Sequence, residues 1–232
     1  MLITACVQPG IELKPMSLTA LSRHVNDCRT MAVSLSPDEA ARMVKLGMPS
    51  TKGKLHAFVG GAAPVSADGY FITACHVAQA KEGNQLVLMY LGPKGKRVGI
   101  ARIVWADRAR DLALVKAAFA TPEYYRWTPR NRDLPVNTPI MHAGMSTGGK
   151  GELGFLSERV SGRGQTSFRH TLHLQPGDSG GPVLLVSGEL VGVNSAIGFF
   201  NALDTSFFDT AQSSRPDPAF IQRLIAKDSR QP

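Results

Sequence analysis

Residues 67–77 read Ala67-Asp68-Gly69-Tyr70-Phe71-Ile72-Thr73-Ala74-Cys75-His76-Val77. Asp68-Gly69 is a turn signal, because glycine enters left-handed backbone space without a Cβ penalty. Beyond the turn, Tyr70–Thr73 is a run of aromatic and β-branched residues, the types that pack well on a pleated sheet. Before it lies another apolar run, Leu55–Val65. The two runs predict a β-hairpin. That hairpin delivers a histidine, His76, just past the end of its second strand.

The same texture extends in both directions. Gln85–Leu91 and Arg97–Trp105 flank Gly92-Pro93-Lys94-Gly95, a second hairpin, and Leu112–Lys116 is a further strand. A Pro-, Arg- and Asn-rich stretch, Thr128–Thr138, interrupts the pattern. It resumes at Pro139–Ala143, Gly154–Val160, Ser167–Leu174, Val183–Val186 and Leu190–Ser195. Many short strands at this spacing indicate barrels or a sandwich, and two clusters joined at about 120–138 indicate two barrels. The expected fold is therefore mainly β, with barrels over about 54–125 and 135–210. Near the end, Asp217-Pro218 opens a helix to about Lys227, with Phe220, Ile221, Leu224 and Ile225 on one face. Residues 1–53 read as a leader. Within it Ser36-Pro37-Asp38-Glu39 starts a helix that runs to Leu46 and stops at Gly47, and Pro49–Gly53 reads as a linker.

Composition narrows the class. Apolar residues are 43% and charged residues 19% of 232, which excludes a disordered, collagen-like or coiled-coil chain. The net charge of +8 is scattered, with no run of five basic residues, so it reads as a basic surface and no nucleic-acid partner is expected. The cysteines Cys6, Cys28 and Cys75 are an odd number, which argues against a complete disulfide framework. Ile3-Thr4-Ala5-Cys6 resembles a bacterial lipobox with a shortened apolar region, which implies a lipid anchor on Cys6 and an extracytoplasmic location. Whether Cys28 and Cys75 pair is left open.

The chemistry centres on Gly177-Asp178-Ser179-Gly180-Gly181-Pro182. A nucleophilic serine on a tight turn needs neighbours without side chains, so that a carbonyl can approach. The amides of Gly177 and Ser179 are then candidates for an oxyanion hole. Serine is a weak nucleophile at neutral pH and needs a base. His76, at the end of its strand, is the candidate. A third group must orient the base. Asp111 opens Asp111-Leu112-Ala113-Leu114-Val115-Lys116 at the head of a strand, and Asp107 is its rival in Ala106-Asp107-Arg108.

Residues 67–77 resemble the histidine loop of trypsin-like peptidases, especially the HtrA branch. Asp111–Lys116 resembles that family's aspartate strand. The order His76, Asp111, Ser179, with gaps of 35 and 68, is the chymotrypsin-like order. The resemblance covers roughly residues 54–200. It implies two six-stranded antiparallel β-barrels with the triad between them, a serine endopeptidase acting on protein or peptide substrates, and no cofactor. A catalytically silent binding or sensor module is the alternative. By resemblance, the substrate pocket draws on His173, Leu174, Asn194, Ser195 and Ala196. His173 stands where trypsin carries its selecting aspartate, so a Lys or Arg preference is not expected and a small or aliphatic one is. Phe58-Val59-Gly60-Gly61 looks like an activated N-terminus but lies too close to His76, and fits the first strand of the hairpin instead. His170 and His173 would face opposite ways on a strand, so no metal site is expected. The 53 residues after Ser179 leave room for a barrel and helix, not for a PDZ domain.

Overall fold

The computed structural model describes residues 15–47, 58–79, 81–144, 147–148, 150–162, 164–202 and 205–230. Cys6 and the Pro49–Gly53 linker lie outside them.

The chain folds as two antiparallel sheets. The first contains β1 (Arg29–Leu35), β2 (Phe58–Gly61), β3 (Ala63–Pro64), β4 (Tyr70–Thr73), β5 (Gln85–Gly92), β6 (Gly95–Asp107) and β7 (Leu112–Ala117). Its order is β2-β1-β5-β6-β7-β4-β3. The edge strands β2 and β3 are separated only by Ala62, so one bent segment forms both edges and the sheet closes on itself. Counting that segment once gives the six staves expected. The second sheet contains β8 (Pro139–His142), β9 (Glu152–Phe155), β10 (Ser167–His170), β11 (Pro182–Leu185), β12 (Leu190–Ala202) and β13 (Thr205–Ser214), in the order β10-β13-β12-β11-β8-β9. Its edges also meet: Leu156 bridges His170, and the Thr171 N–H donates to the Phe155 carbonyl at 3.0 Å. Closure leaves few unpaired strand edges in either barrel.

Each barrel has its own core. Phe71, Leu88, Tyr90 and Val115 fill the first; Ile140, Leu156, Phe168 and Val183 fill the second. A third cluster sits where the barrels meet and includes Tyr70, Ile72, Leu114, Met141, Leu184 and Val193. Two helices close over it. α1 (Leu18–Asp27) contributes Leu21 and Val25, and α4 (Pro218–Asp228) contributes Ile221. α4 is pinned to the first barrel by Asp228, which accepts from the Tyr70 hydroxyl at 2.8 Å and from both terminal nitrogens of Arg102.

Residues 15–47, the described part of the segment read as a leader, are part of this architecture. β1 pairs along its whole length with β5 and also with β2. Ala32 points into the first barrel's core, while Val33 packs outside it with Ala40 and Met43 of α2 (Pro37–Leu46). A strand covered on both faces shows no polar–apolar alternation, which is why its sequence reads weakly. α2 itself begins and ends where the capping signals indicate. Glu39 accepts from the Ser36 N–H at 3.2 Å, and Gly47 stops the helix in left-handed conformation, φ 65°.

Candidate active site

His76 lies in α3 (Cys75–Ala78), a single turn that follows β4 directly. β4 is central in the first barrel, paired with β3 and β7, so the position of His76 is set by the sheet. Its Nδ1 lies 2.8 Å from Asp111 Oδ2 and 3.0 Å from Oδ1, and its backbone N–H donates to Oδ1 at 3.0 Å. A carboxylate can only accept, so Nδ1 carries the hydrogen and Nε2 of the neutral ring carries the lone pair. Every hydrogen bond of His76 among the described residues runs to Asp111.

Asp111 occupies the turn between β6 and β7 at φ 49°. This is left-handed backbone, which aspartate tolerates better than most residues. The second barrel holds this turn from the other side. The Ser195 hydroxyl donates to Asp111 Oδ2 at 2.5 Å, and the Ser214 hydroxyl donates to the Arg110 carbonyl at 2.6 Å. Burial raises the Asp111 carboxyl, but the hydrogen bonds from His76 and Ser195 outweigh it and hold the group below the usual aspartate range. Asp107 does a different job: it accepts from the Arg110 N–H at 3.1 Å and closes the turn.

Ser179 lies on the turn before β11 and is half-buried. Its carbonyl accepts from the Gly61 N–H at 2.7 Å, across from the first barrel. A Cβ at Gly60 would collide with that carbonyl. Gly180 takes φ 79°, and its N–H donates to the Asn194 carbonyl at 2.8 Å. A Cβ there would collide with the Gly61 carbonyl and Thr73 Oγ1. The glycines therefore allow the serine turn to sit directly against the strand that leads to His76. Gly177 takes φ 100°. Asp178 is buried and accepts from the Gln175 N–H at 2.9 Å, which tightens the turn locally.

The expected pocket residues separate. Leu174 is buried in the second barrel's core. Asn194 is fully buried; its side chain reaches the Asp178 carbonyl at 3.4 Å and accepts from Ser213 at 3.1 Å. His173 is exposed, with its N–H on Glu152, and Ala196 is exposed beside Ser195. His170 is buried, with Nε2 2.8 Å from the Ser213 hydroxyl. Cys28 and Cys75 are both free and buried, and burial raises both thiols. The Ser195–Asp111 and Gly61–Ser179 contacts join residues far apart in the chain. Only the glycines at 60, 61 and 180 hinted at them.

A model of the trypsin-like peptidase domain matches residues 57–193. The chain belongs to that family. The chain is 26% identical over 160 residues to the "Serine protease Do-like HtrA" of Lactobacillus helveticus. That match takes in 63% of this chain and 38% of the relative, so the chain spans well under half of the relative's length. Among solved structures it is similar to an "HtrA-type protease AlgW with decapeptide", with a TM-score of 0.61, 19% identity and coverage of 93% of this chain and 68% of that one. It is also similar to "the serine endoprotease from Yersinia pestis", with a TM-score of 0.60, 20% identity and coverage of 94% and 68%. At this identity the structural likeness speaks for the fold alone, two antiparallel β-barrels.

Proposed function

We propose that this trypsin-like domain is a serine endopeptidase that works through Ser179, His76 and Asp111. The observation that carries the reading is the doubly bonded His76–Asp111 pair, clamped by Ser195 from the opposite barrel. With Nδ1–H held by Asp111, Nε2 is the nitrogen able to take the Ser179 proton as Oγ attacks a peptide carbonyl. The Gly177 and Ser179 amides stabilise the resulting oxyanion. His76 then returns the proton to the leaving amine, and a water activated by the same nitrogen hydrolyses the acyl-enzyme. Asp111 stays ionised and stabilises the imidazolium. The substrate is a peptide in extended form, running along Ser195–Ala196 and past His173, with Leu174 and Asn194 supporting the pocket from within. The similar solved structure of an HtrA-type protease with a decapeptide supports a peptide ligand, and the HtrA likeness supports a site of action outside the cytoplasm.

The test is exposure of the full chain and of Ser179→Ala to a fluorophosphonate, followed by intact mass. One adduct on the wild-type chain and none on the variant is the expected result. Adducts on both, or on neither, would overturn the reading, and the second outcome would favour a silent binding module.

A further inference from the structure

Behind the serine turn lies a cavity of about 220 Å³. Gly177 and Asp178 form one wall, the β8–β9 loop supplies Gly144 and Gly148, Tyr125 contributes another side, and Arg29 of β1 faces them. Ser179 does not line this space, its carbonyl being held by the Gly61 N–H, but Gly177 and Asp178 have no close-packed layer on this side. Their position depends on whatever braces this space, because a gap supplies no contacts to resist displacement.

A continuous set of contacts crosses it. Arg29 is the first residue of β1 and is held in the first barrel by pairing with Leu91. Its Nη1 donates to the Gly148 carbonyl at 3.1 Å, joining residues 119 apart. Thr147, next in the chain, ties that point to Gly144. The Gly144 N–H donates to the Thr147 hydroxyl at 3.2 Å, and that hydroxyl lies 3.1 Å from the Gly144 carbonyl. Gly144 in turn packs so closely on Asp178 that a Cβ would collide with its carboxylate. Asp178 lies between the two proposed oxyanion donors, Gly177 and Ser179. The path runs Arg29, Gly148, Thr147, Gly144, Asp178.

We propose that Arg29 is a positioning residue for the oxyanion turn, acting through Gly148, Thr147 and Gly144. The inference rests on the peptidase reading above. It also explains why a long cationic side chain stands at this place in β1. Arg29 is a poor choice for stability alone. Its Nε is shielded from solvent and has no hydrogen-bond partner among the described residues, as is true of the Tyr125 hydroxyl in the same cavity. Unpartnered donors of this kind oppose folding. Removing the guanidinium therefore sacrifices one bond at the loop while relieving one orphaned donor, and the net effect on stability is small. The effect on the loop is not.

The experiment compares the 232-residue wild-type chain with Arg29→Met, Arg29→Gln and Arg29→Lys. It measures the second-order rate of fluorophosphonate labelling, kcat and KM on a peptide ester, and Tm. Arg29→Met is expected to lose tenfold or more in labelling rate and kcat, with KM and Tm nearly unchanged. Arg29→Lys, which can still donate to Gly148, is expected to recover most of the loss. If Arg29→Met does not fold, the Gln and Lys variants carry the same comparison. Labelling and kcat within twofold of wild type in the Met or Gln variant would overturn the proposal. So would a loss that follows Tm and disappears on cooling, which would make Arg29 a stabiliser only. A wild-type chain that takes no label would overturn the peptidase reading itself, and the Arg29 proposal with it.

Discussion

At the scale of single residues, the site is defined by who holds Asp111. Ser195 is 84 residues away in sequence, yet its hydroxyl is bonded to the same carboxylate oxygen that faces His76. A hydrogen bond to a charged group contributes about 1.5–3 kcal/mol, and less where solvent screens it, as at this quarter-exposed carboxylate. Ser195→Ala is therefore expected to lower kcat roughly tenfold, with KM changing less, in a peptide-ester assay. The Tm difference from wild type should depend on pH in a stated direction. A carboxyl held below its ordinary value of 3.8 adds stability above that pH and loses it as pH falls through the folded value. The Ser195→Ala deficit should be present at pH 7 and fade in acid melts below that range. Gly180→Ala makes a different prediction. The left-handed φ of 79° and the blocked Cβ position mean the turn must move, so fluorophosphonate labelling of Ser179 should fall to background while the barrels still melt cooperatively.

At the scale of elements, β1 and α4 carry the predictions. β1 is paired on both sides, so a chain beginning after residue 36 lacks a stave of the first barrel. Such a truncation is expected to be insoluble or to melt without cooperativity in circular dichroism, whereas the full chain melts in one transition. α4 is held by Asp228, whose side chain is 8% exposed and serves both Arg102 and Tyr70. Asp228→Ala leaves the Tyr70 hydroxyl buried without its acceptor and should cost about 1–3 kcal/mol of stability in urea unfolding. Labelling of Ser179 should persist, because the side-chain bonds of Asp228 run to Tyr70 and Arg102 and not to Ser179, His76 or Asp111.

At the scale of the whole molecule, the two barrels meet through an apolar cluster and through polar ties beside Asp111, so the cleft depends on the docking of one barrel on the other. Acid sensitivity follows from two buried histidines in the second barrel. Burial lowers His170 from 6.5 to about 3, with His142 nearby adding to the effect, and burial also lowers His142. Below pH 6.5 the unfolded chain takes up protons that these folded imidazoles resist, so stability declines with falling pH until the folded values are reached. Each such group contributes a slope of about 1.4 kcal/mol per pH unit across its window. Tm is expected to fall steadily from pH 6.5 towards 3, and His170→Gln should flatten that fall.

Most of the strands, the starts of α2 and α4 and the order of the candidate residues were readable along the chain, because each depends on neighbours within a few positions, whereas α1 and β13 were not read. Alternation, the Asp68-Gly69 turn, the Ser36–Glu39 cap and the glycines around Ser179 are local signals with local causes. What the chain alone did not reveal was everything decided by closure. β1 has apolar residues buried on both faces, so its pattern did not stand out until β2, β5 and α2 were packed around it. Asn194 and Leu174 sit in the segments expected to face substrate, but the barrel's curvature turns their side chains inward. Ser195 was legible as a strand residue beside substrate; only the docking of one barrel on the other brought its hydroxyl to Asp111. The same docking put Arg29 behind the serine turn, since no periodicity within one strand records what a second barrel will bring against it.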